Sequence, residues 1–237
     1  MALPTMETQA KVASEAAQVF IDHYYEALTR RRPLGPFYAS TSPRLTSAGV
    51  KPDISINGRF VGTEVSAYEE LLKTQGEPVS YDVGSFDVQP VNPWYRAGEP
   101  ESTSSISAAL AGNTTTNGAG GGAGATGRDA TAVAATLRNG DRMSFAVQVS
   151  GTVRYGRGHV ATGEGGPAKA VVDAATTTTI IAPAVGGTAA AAADGHELLE
   201  KDFNESFLLV PHWEAWGRNA PKGLRKWVIV SQNFRAL

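Results

Sequence analysis

Apolar residues recur along this chain with two different periods, which separate predicted helices from predicted strands. From Lys11 to Arg32 the apolar positions lie three and four residues apart, which predicts a long amphipathic helix that ends before Pro33. The same spacing in Glu64–Thr74 predicts a second helix, with Thr63 as its N-cap. Two amphipathic helices are therefore predicted in the first third of the chain.

A short turn and a bent strand are predicted between the two helices. Leu34–Ser40 has the pattern of a short helix or turn that directs Phe37 and Tyr38 toward a core. Asp53–Val61 has the pattern of a short strand, and the Asn-Gly pair that begins at Asn57 would bend it.

Two later segments have the period of a long strand. Val79–Val91 is predicted to be a strand with a bulge at Gly84. Met143–Tyr155 alternates apolar residues with small or polar ones, which is typical of a strand with one buried face. The predicted inward face is wholly apolar or aromatic: Met143, Phe145, Val147, Val149, Val153 and Tyr155.

The last stretch of the chain predicts the centre of the sheet. It contains two apolar runs, Phe207–Trp216 and Trp227–Phe234, that are rich in Phe, Trp, Val and Ile. Turn-forming residues in Gly217–Arg225 join the two runs. This arrangement is typical of two antiparallel strands.

Two low-complexity segments interrupt the predicted strands at 98–136 and 158–200. Gly98–Thr136 and Gly158–Glu200 are dominated by Ala, Gly, Thr and Ser, and contain few large aliphatic residues. Such segments cannot bury enough apolar surface to offset the loss of chain entropy, so we predict that they are insertions with little order. The chain is then a single domain, 1–237, with a core of about 155 residues.

The composition excludes several classes of protein. The chain has no cysteine, so disulfide frameworks and thiolate metal sites are excluded, and an intracellular location is expected. No apolar run is long enough to cross a membrane, and the N-terminus lacks the pattern of a signal peptide. Net charge is −2, but the two insertions contain eight acidic and only two basic residues, so the remaining core is mildly basic and permits only weak contact with RNA.

The sequence gives little support for a catalytic or ligand-binding site. The four histidines, His23, His159, His196 and His212, lack the spacing of a metal site. Gly122–Gly127 matches a dinucleotide fingerprint by chance, because no strand precedes it. His23 with Asp22 and Asp87 could form a general-base site, but a histidine at a polar helix edge is the simpler explanation. We therefore expect no enzyme activity, cofactor or metal.

The order of elements and the terminal hairpin carry a family resemblance. Ser206–Pro211 reads SFLLVP and is followed by Trp227–Arg235, which reads WVIVSQNFR. Together with the order helix, short helix, strand, helix and four strands, this pair resembles the nuclear transport factor 2-like family. Within that family it is most similar to the small subunit of the fungal mRNA export receptor heterodimer, whose relatives also carry long loop insertions.

The resemblance implies an α+β cone in which a curved antiparallel sheet wraps around the long N-terminal helix. It implies a non-catalytic subunit that stabilises a larger export receptor subunit with its own domain of this fold. The pair would carry mRNA, with pre-ribosomal subunits as a further implied cargo, through nuclear pores, and FG nucleoporins would be contacted indirectly. The implied location is the nucleus and nuclear pore, with shuttling to the cytoplasm. A homodimeric import factor for the Ran GTPase and a small-molecule dehydratase or isomerase remain open as alternatives.

In this branch the outer face of the sheet contacts the partner, and strand parity predicts which residues lie there. The inward set is predicted to be Phe207, Leu209, Val228, Val230 and Phe234. The outward, partner-facing set is predicted to be Gln148, Ser150, Thr152, Ser206, Leu208, Val210, His212, Ile229, Ser231, Asn233 and Arg235. In relatives of this branch an arginine at the place of Arg235 pairs with a carboxylate of the partner.

Overall fold

The structure, a computed structural model, describes residues 3–75, 79–100, 139–155, 199–216 and 220–237. Most of the two predicted insertions, the fingerprint match at 122–127, and His159 and His196 lie outside these ranges. No helix of the described residues is long and apolar enough to span a membrane.

Helix α1, Met6–Thr29, is the longest element and confirms the predicted amphipathic helix. It begins five residues earlier than predicted, because the Thr5 hydroxyl accepts a hydrogen bond from the Thr8 amide at 3.2 Å and caps the first turn. It ends before the predicted Arg32, because Arg31 adopts a positive φ of 50°.

Two shorter helices follow, α2 (Pro43–Ser47) and α3 (Val65–Thr74), with 3₁₀ turns at Gly35–Phe37, Ala39–Thr41 and Trp213–Trp216. The prediction that Thr63 caps α3 is wrong. The N-cap is Glu64, whose side chain makes no capping hydrogen bond.

Within the described residues, six strands form one curved sheet: β1 Asp53–Ile56, β2 Arg59–Gly62, β3 Val79–Asn92, β4 Ser144–Tyr155, β5 Leu199–Pro211 and β6 Trp227–Ala236. Their order is β2-β1-β6-β5-β4-β3. The predicted α+β cone is confirmed, but the sheet is mixed, because β1 pairs in parallel with β6. Asn57 and Gly58 both have positive φ, so they form a tight turn that divides the predicted bent strand into β1 and β2.

The main core lies between α1 and the concave face of the sheet. Phe20 and Tyr24 of α1 stack with ring centroids 5.3 Å apart, and each also contacts Phe37 and Phe207 edge-on. A second, smaller core lies on the opposite side of the sheet, at the end where β5 and β6 are joined. It consists of Ala39, Leu45, Val210, Trp213 and Val228.

The predicted bulge at Gly84 is confirmed, since the pairing of β3 with β4 shifts between Val83 and Ser85. Gly151 of β4 lies at the same place, and a Cβ there would come within 2.1 Å of the Asp82 carbonyl oxygen. The two strands therefore approach closely beside the bulge, and only glycine fits at this position.

The predicted limits of the insertions are wrong where they overlap described residues. Leu199 and Glu200 belong to strand β5. Glu99 is nearly buried and forms an ion pair with Arg142, while Gly98 lies against the backbone of Arg44. Residues 98–100 and 199–200 are thus part of the packed fold.

Candidate partner interface

The outer face of the sheet, opposite α1, presents a row of polar side chains across three strands. Asn204 of β5 is paired with Ser150 of β4 on one side and with Arg235 of β6 on the other. The Asn204 amide donates to the Ser150 hydroxyl at 3.2 Å and accepts from the Gln148 amide at 3.3 Å. Arg235 is exposed, so its guanidinium is available to a partner.

Most of the predicted interface residues lie on this face and are exposed or half-buried. They are Gln148, Ser150, Thr152, Ser206, Leu208, Ser231, Asn233 and Arg235. Leu208 is the apolar member of this set. These positions are therefore mainly polar around Leu208, which suits packing against another sheet.

Ile229 does not lie on this face, and its prediction as an interface residue is wrong. Leu208 is paired with Ser231 whereas the next residue, Leu209, is paired with Ile229, so Val230 is an extra residue in β6. This bulge reverses the parity of the strand. Ile229 is consequently fully buried in the main core, and Val228 points to the other side, contrary to its predicted inward position.

Val210 and His212 are on the outer side but are not available to a partner. Both are buried beneath the 3₁₀ turn Trp213–Trp216, which folds back toward α2. Glu214 in that turn accepts hydrogen bonds from the Ser42 hydroxyl at 2.7 Å and the Arg44 amide at 3.0 Å. The interface predicted at these two positions is therefore replaced by an internal contact.

His212 is held by two neighbours within the fold. Its Nδ1 donates to the Arg225 carbonyl at 3.0 Å, and its Nε2 lies 3.5 Å from a carboxylate oxygen of Glu214. Both contacts fix the connection between β5 and β6. This histidine thus has a structural role in joining the terminal hairpin to α2.

Asp202 and Asn204 also lie on the outer face and were missed, although they share the parity of Ser206. Asp82 and Asp87 of β3 extend the same face toward the edge of the sheet, because Asp82 is paired with Thr152 and Asp87 with Gln148. The outer face thus has exposed carboxylates toward the β3 edge.

Behind this face, on the concave side, lies a buried carboxylate that the sequence analysis did not identify. Glu205 is fully buried, although its chain neighbours Asn204 and Ser206 lie on the outer face. Its Oε2 accepts from the Tyr25 hydroxyl at 2.6 Å, and its Oε1 accepts from the Gln232 amide at 2.6 Å.

Two further tyrosines complete this polar cluster. The Gln232 amide also donates to the Tyr24 hydroxyl at 2.8 Å, and the Gln232 carbonyl oxygen accepts from the Tyr38 hydroxyl. Each polar atom of the Glu205 carboxylate thus has a partner, as a buried charge requires.

Burial raises the pKa of Glu205 to about 7, although the hydrogen bonds from Tyr25 and Gln232 act to lower it. Burial likewise raises the pKa of Tyr24 and Tyr25, and the Glu205 carboxylate adds to both shifts. A carboxyl group with such a pKa can act as a general acid or base when a substrate reaches it. Here the carboxyl is sealed under Tyr25 and Gln232, and neither water nor substrate has access to it.

The predicted alternative site of His23, Asp22 and Asp87 does not assemble. Nδ1 of His23 donates to the Val19 carbonyl at 2.7 Å, and Asp22 accepts from the Gln18 amide at 2.8 Å, both on the exposed side of α1. Asp87 is on the outer face of the sheet. Within the described residues, no group of three histidine or carboxylate side chains could hold a metal ion.

Comparison with known proteins gives matches among solved structures. No protein-family model matches the chain, and no curated protein matches it. A chain from the complex of a Sac3N peptide bound to Mex67:Mtr2 is 25% identical, with a TM-score of 0.61, over 95% of this chain and 99% of the other. A chain from the Chaetomium thermophilum Mex67 NTF2-like domain complexed with Mtr2 matches with 25% identity, a TM-score of 0.61 and coverage of 95% and 98%. A structure of Mtr2 shares the fold at 23% identity and a TM-score of 0.58, over 95% of this chain and 99% of the other.

Proposed function

We propose that this chain, a nuclear transport factor 2-like protein similar to Mtr2, is the non-catalytic small subunit of a heterodimeric nuclear mRNA export receptor. The family resemblance recognised in the terminal hairpin is confirmed by the structural similarity over nearly the whole chain. Its partner is then a larger receptor subunit that contributes a second domain of the same fold and is stabilised by the pairing.

The observation that carries the proposal is the similarity to chains from a complex of Mtr2 with the NTF2-like domain of Mex67, at 25% identity. That similarity covers both chains almost completely, so it is not limited to one shared motif. The outer face around Leu208 and Asn204 supports the proposal, because α1 covers only the opposite side of the sheet.

The buried Glu205 favours one other function, a dehydratase or isomerase of the same fold. A carboxyl with a raised pKa beside tyrosine hydroxyls is typical of such acid–base sites. Against this function, Glu205 and Gln232 are almost completely buried and every oxygen of the Glu205 carboxylate is already hydrogen-bonded within the protein. The arrangement supports a structural role.

The remaining parts of the proposal follow from the implied role. The heterodimer would carry mRNA, and pre-ribosomal subunits as a further cargo, through the nuclear pore, with FG nucleoporins contacted indirectly. It would shuttle between nucleus and cytoplasm. We expect any direct RNA contact by this chain to be weak, because its charges of both signs are interspersed on the described surface.

Purification of the native, tagged protein tests the proposal. We expect a second subunit with its own domain of this fold to co-purify in a 1:1 complex, as measured by light scattering coupled to size exclusion. Recovery of a homodimer instead would favour the import-factor alternative. Turnover of a small molecule that is lost in Glu205→Gln would favour the enzyme.

A further inference from the structure

A groove of about 710 Å³ runs along the exposed side of α1, away from the outer sheet face. One wall is α1 from Val12 to His23, and the other is the connection before β6 from Gly223 to Trp227. Half of the lining residues are apolar, namely Val12, Ala16, Val19, Phe20, Leu224 and Trp227. Val19 is 56% exposed and Leu224 is 36% exposed, so apolar surface faces solvent on both walls.

The two cations of the groove are held by aromatic rings of this chain. The Arg225 guanidinium lies 3.5 Å from the centroid of the Phe37 ring, and the Lys226 ammonium lies 4.8 Å from that of Trp216. Both contacts are within the range of cation–π interactions. Both cations therefore keep their charge but are oriented toward rings of this chain.

The two carboxylates of the groove are less well satisfied. Among the described residues, Asp141 has no cation within salt-bridge distance, and Glu15 has only a marginal contact at 4.0 Å with the exposed Lys11. Partial burial raises the pKa of Asp141, although Lys226 and Arg142 act at longer range to lower it. A cation brought by a ligand would thus relieve a carboxylate that has already lost part of its hydration.

We infer that this groove binds an amphipathic helix of a partner protein, with its apolar side on Val19 and Leu224 and its basic side beside Glu15 and Asp141. The wall from Val12 to His23 is about 16 Å long at 1.5 Å per residue, which matches about three helical turns. Helices of this kind bind in apolar grooves through residues spaced three and four apart.

The groove and the proposed subunit interface lie on different sides of the protein. It lies on the α1 side, whereas the proposed subunit interface lies on the opposite face of the sheet around Asn204. A bound helix and a partner subunit would not compete for surface. This inference is independent of the proposed heterodimer, because it requires only the groove itself.

A pair of matched peptides tests the inference with the full chain. The first is a fluorescein-labelled helical peptide of about three turns with leucines at i, i+3, i+4 and i+7 and lysines on one flank. The second has the same leucines with glutamates in place of the lysines. By fluorescence polarisation, we expect the lysine peptide to bind about ten-fold or more tightly than the glutamate peptide.

Three variants locate the binding. Val19→Glu should weaken binding of the lysine peptide about ten-fold or more, whereas Val91→Glu, a similarly exposed valine at the end of β3, should leave it unchanged. Glu15→Lys combined with Asp141→Lys should reverse the preference toward the glutamate peptide. Thermal unfolding of each variant confirms that the fold is intact, and both valines are exposed enough to be replaced without loss of packing.

The inference is overturned by any of three results. These are no binding of either peptide, equal effects of Val19→Glu and Val91→Glu, or a preference that does not follow the charges of residues 15 and 141. A change of the chain's own oligomeric state in Val19→Glu, without peptide binding, would assign the groove to a second copy and would also overturn it.

Discussion

The hydroxyl of Tyr25 donates to Oε2 of Glu205 at 2.6 Å and thereby ties the middle of helix α1 to the centre of strand β5. Gln232 continues this link to β6 and, through Tyr38, to the turn after α1. The outer-face residues Asn204 and Ser206 are the immediate neighbours of Glu205 on the opposite face. The geometry of the proposed interface therefore depends on a polar cluster in the interior.

Removal of the Tyr25 hydroxyl should destabilise the fold. In Tyr25→Phe, one oxygen of a fully buried carboxylate loses its donor, which costs about 1–3 kcal/mol of unfolding free energy. Tyr95→Phe is the matched control, because the Tyr95 hydroxyl makes no hydrogen bond among the described residues. Urea unfolding at pH 8 measures the free energy of unfolding of both variants. Equal stabilities of the two variants would contradict a stabilising role for the buried polar cluster.

Stability should fall as the pH rises from about 4.5 to 7. Burial raises the pKa of Glu205 to about 7, so in this window the folded state retains a proton that the unfolded state has already released. The direction is thus opposite to that of a carboxylate stabilised by a salt bridge. The loss should be on the order of 3 kcal/mol across the window, and urea unfolding at pH 5 and pH 8 measures it.

Glu205→Gln is the control for this pH dependence, because glutamine fills the same space without titrating. In the variant, the free energy of unfolding should no longer show the part of the fall with pH that Glu205 contributes. The pH dependence that comes from other groups with shifted pKa values, such as Asp141 and Glu214, should remain in both proteins. A pH profile unchanged by the substitution would exclude Glu205 as its source.

The sequence was sufficient to predict α1, α3, β3, β6 and the alternation of β4, because each has a clear hydrophobic period. It did not predict α2, the division of the bent strand into β1 and β2, or the start of β5 at Leu199. The sequence also contained an indication, which was missed, that the Glu205 carboxylate points inward. Glu205 has the same strand parity as Phe203 and Phe207, so alternation alone directs it inward. Its partners could not be predicted, since Tyr25 is 180 residues away and the contact depends on how α1 crosses the sheet.

The bulge at Val230 shows why the interface was only partly predictable. A single extra residue exchanges the two faces of a strand, and nothing in an unbroken run of Val and Ile indicates where it occurs. Ser231, Asn233 and Arg235 follow the bulge and keep their predicted outward side. Ile229 precedes it and does not.

Substitutions before and after the bulge should therefore differ in their effect on the free energy of unfolding. Ile229→Ala should lower the free energy of unfolding by about 2–5 kcal/mol, because it removes a fully buried core side chain. Ser231→Ala should change stability by less than about 0.5 kcal/mol, because that side chain lies at the surface. Denaturant unfolding of both variants checks the assignment, and a near-neutral Ile229→Ala would restore this residue to the outer face.

Arg235 should make the largest single contribution to binding of the partner subunit among the outer-face residues. It is exposed in the free chain, beside Asn204 in the polar row. Within a sheet–sheet contact its guanidinium would be largely desolvated, and a bidentate carboxylate of the partner would be needed to satisfy it. Arg235→Ala would leave that carboxylate buried without a partner, so binding should weaken by about 2–5 kcal/mol, mostly through faster dissociation.

Arg30→Ala is the matched control for Arg235→Ala, because Arg30 is an exposed arginine at the end of α1 and is paired there with Glu26 at 2.7 Å. Titration of wild type and both variants against the co-purified partner compares them, and thermal unfolding confirms that each chain is folded. With Arg30→Ala unchanged, a loss of about 30-fold or more in Arg235→Ala corresponds to the lower end of the expected range. Equal dissociation constants for all three proteins would mean that Arg235 remains in solvent in the complex and that the partner binds elsewhere on the face.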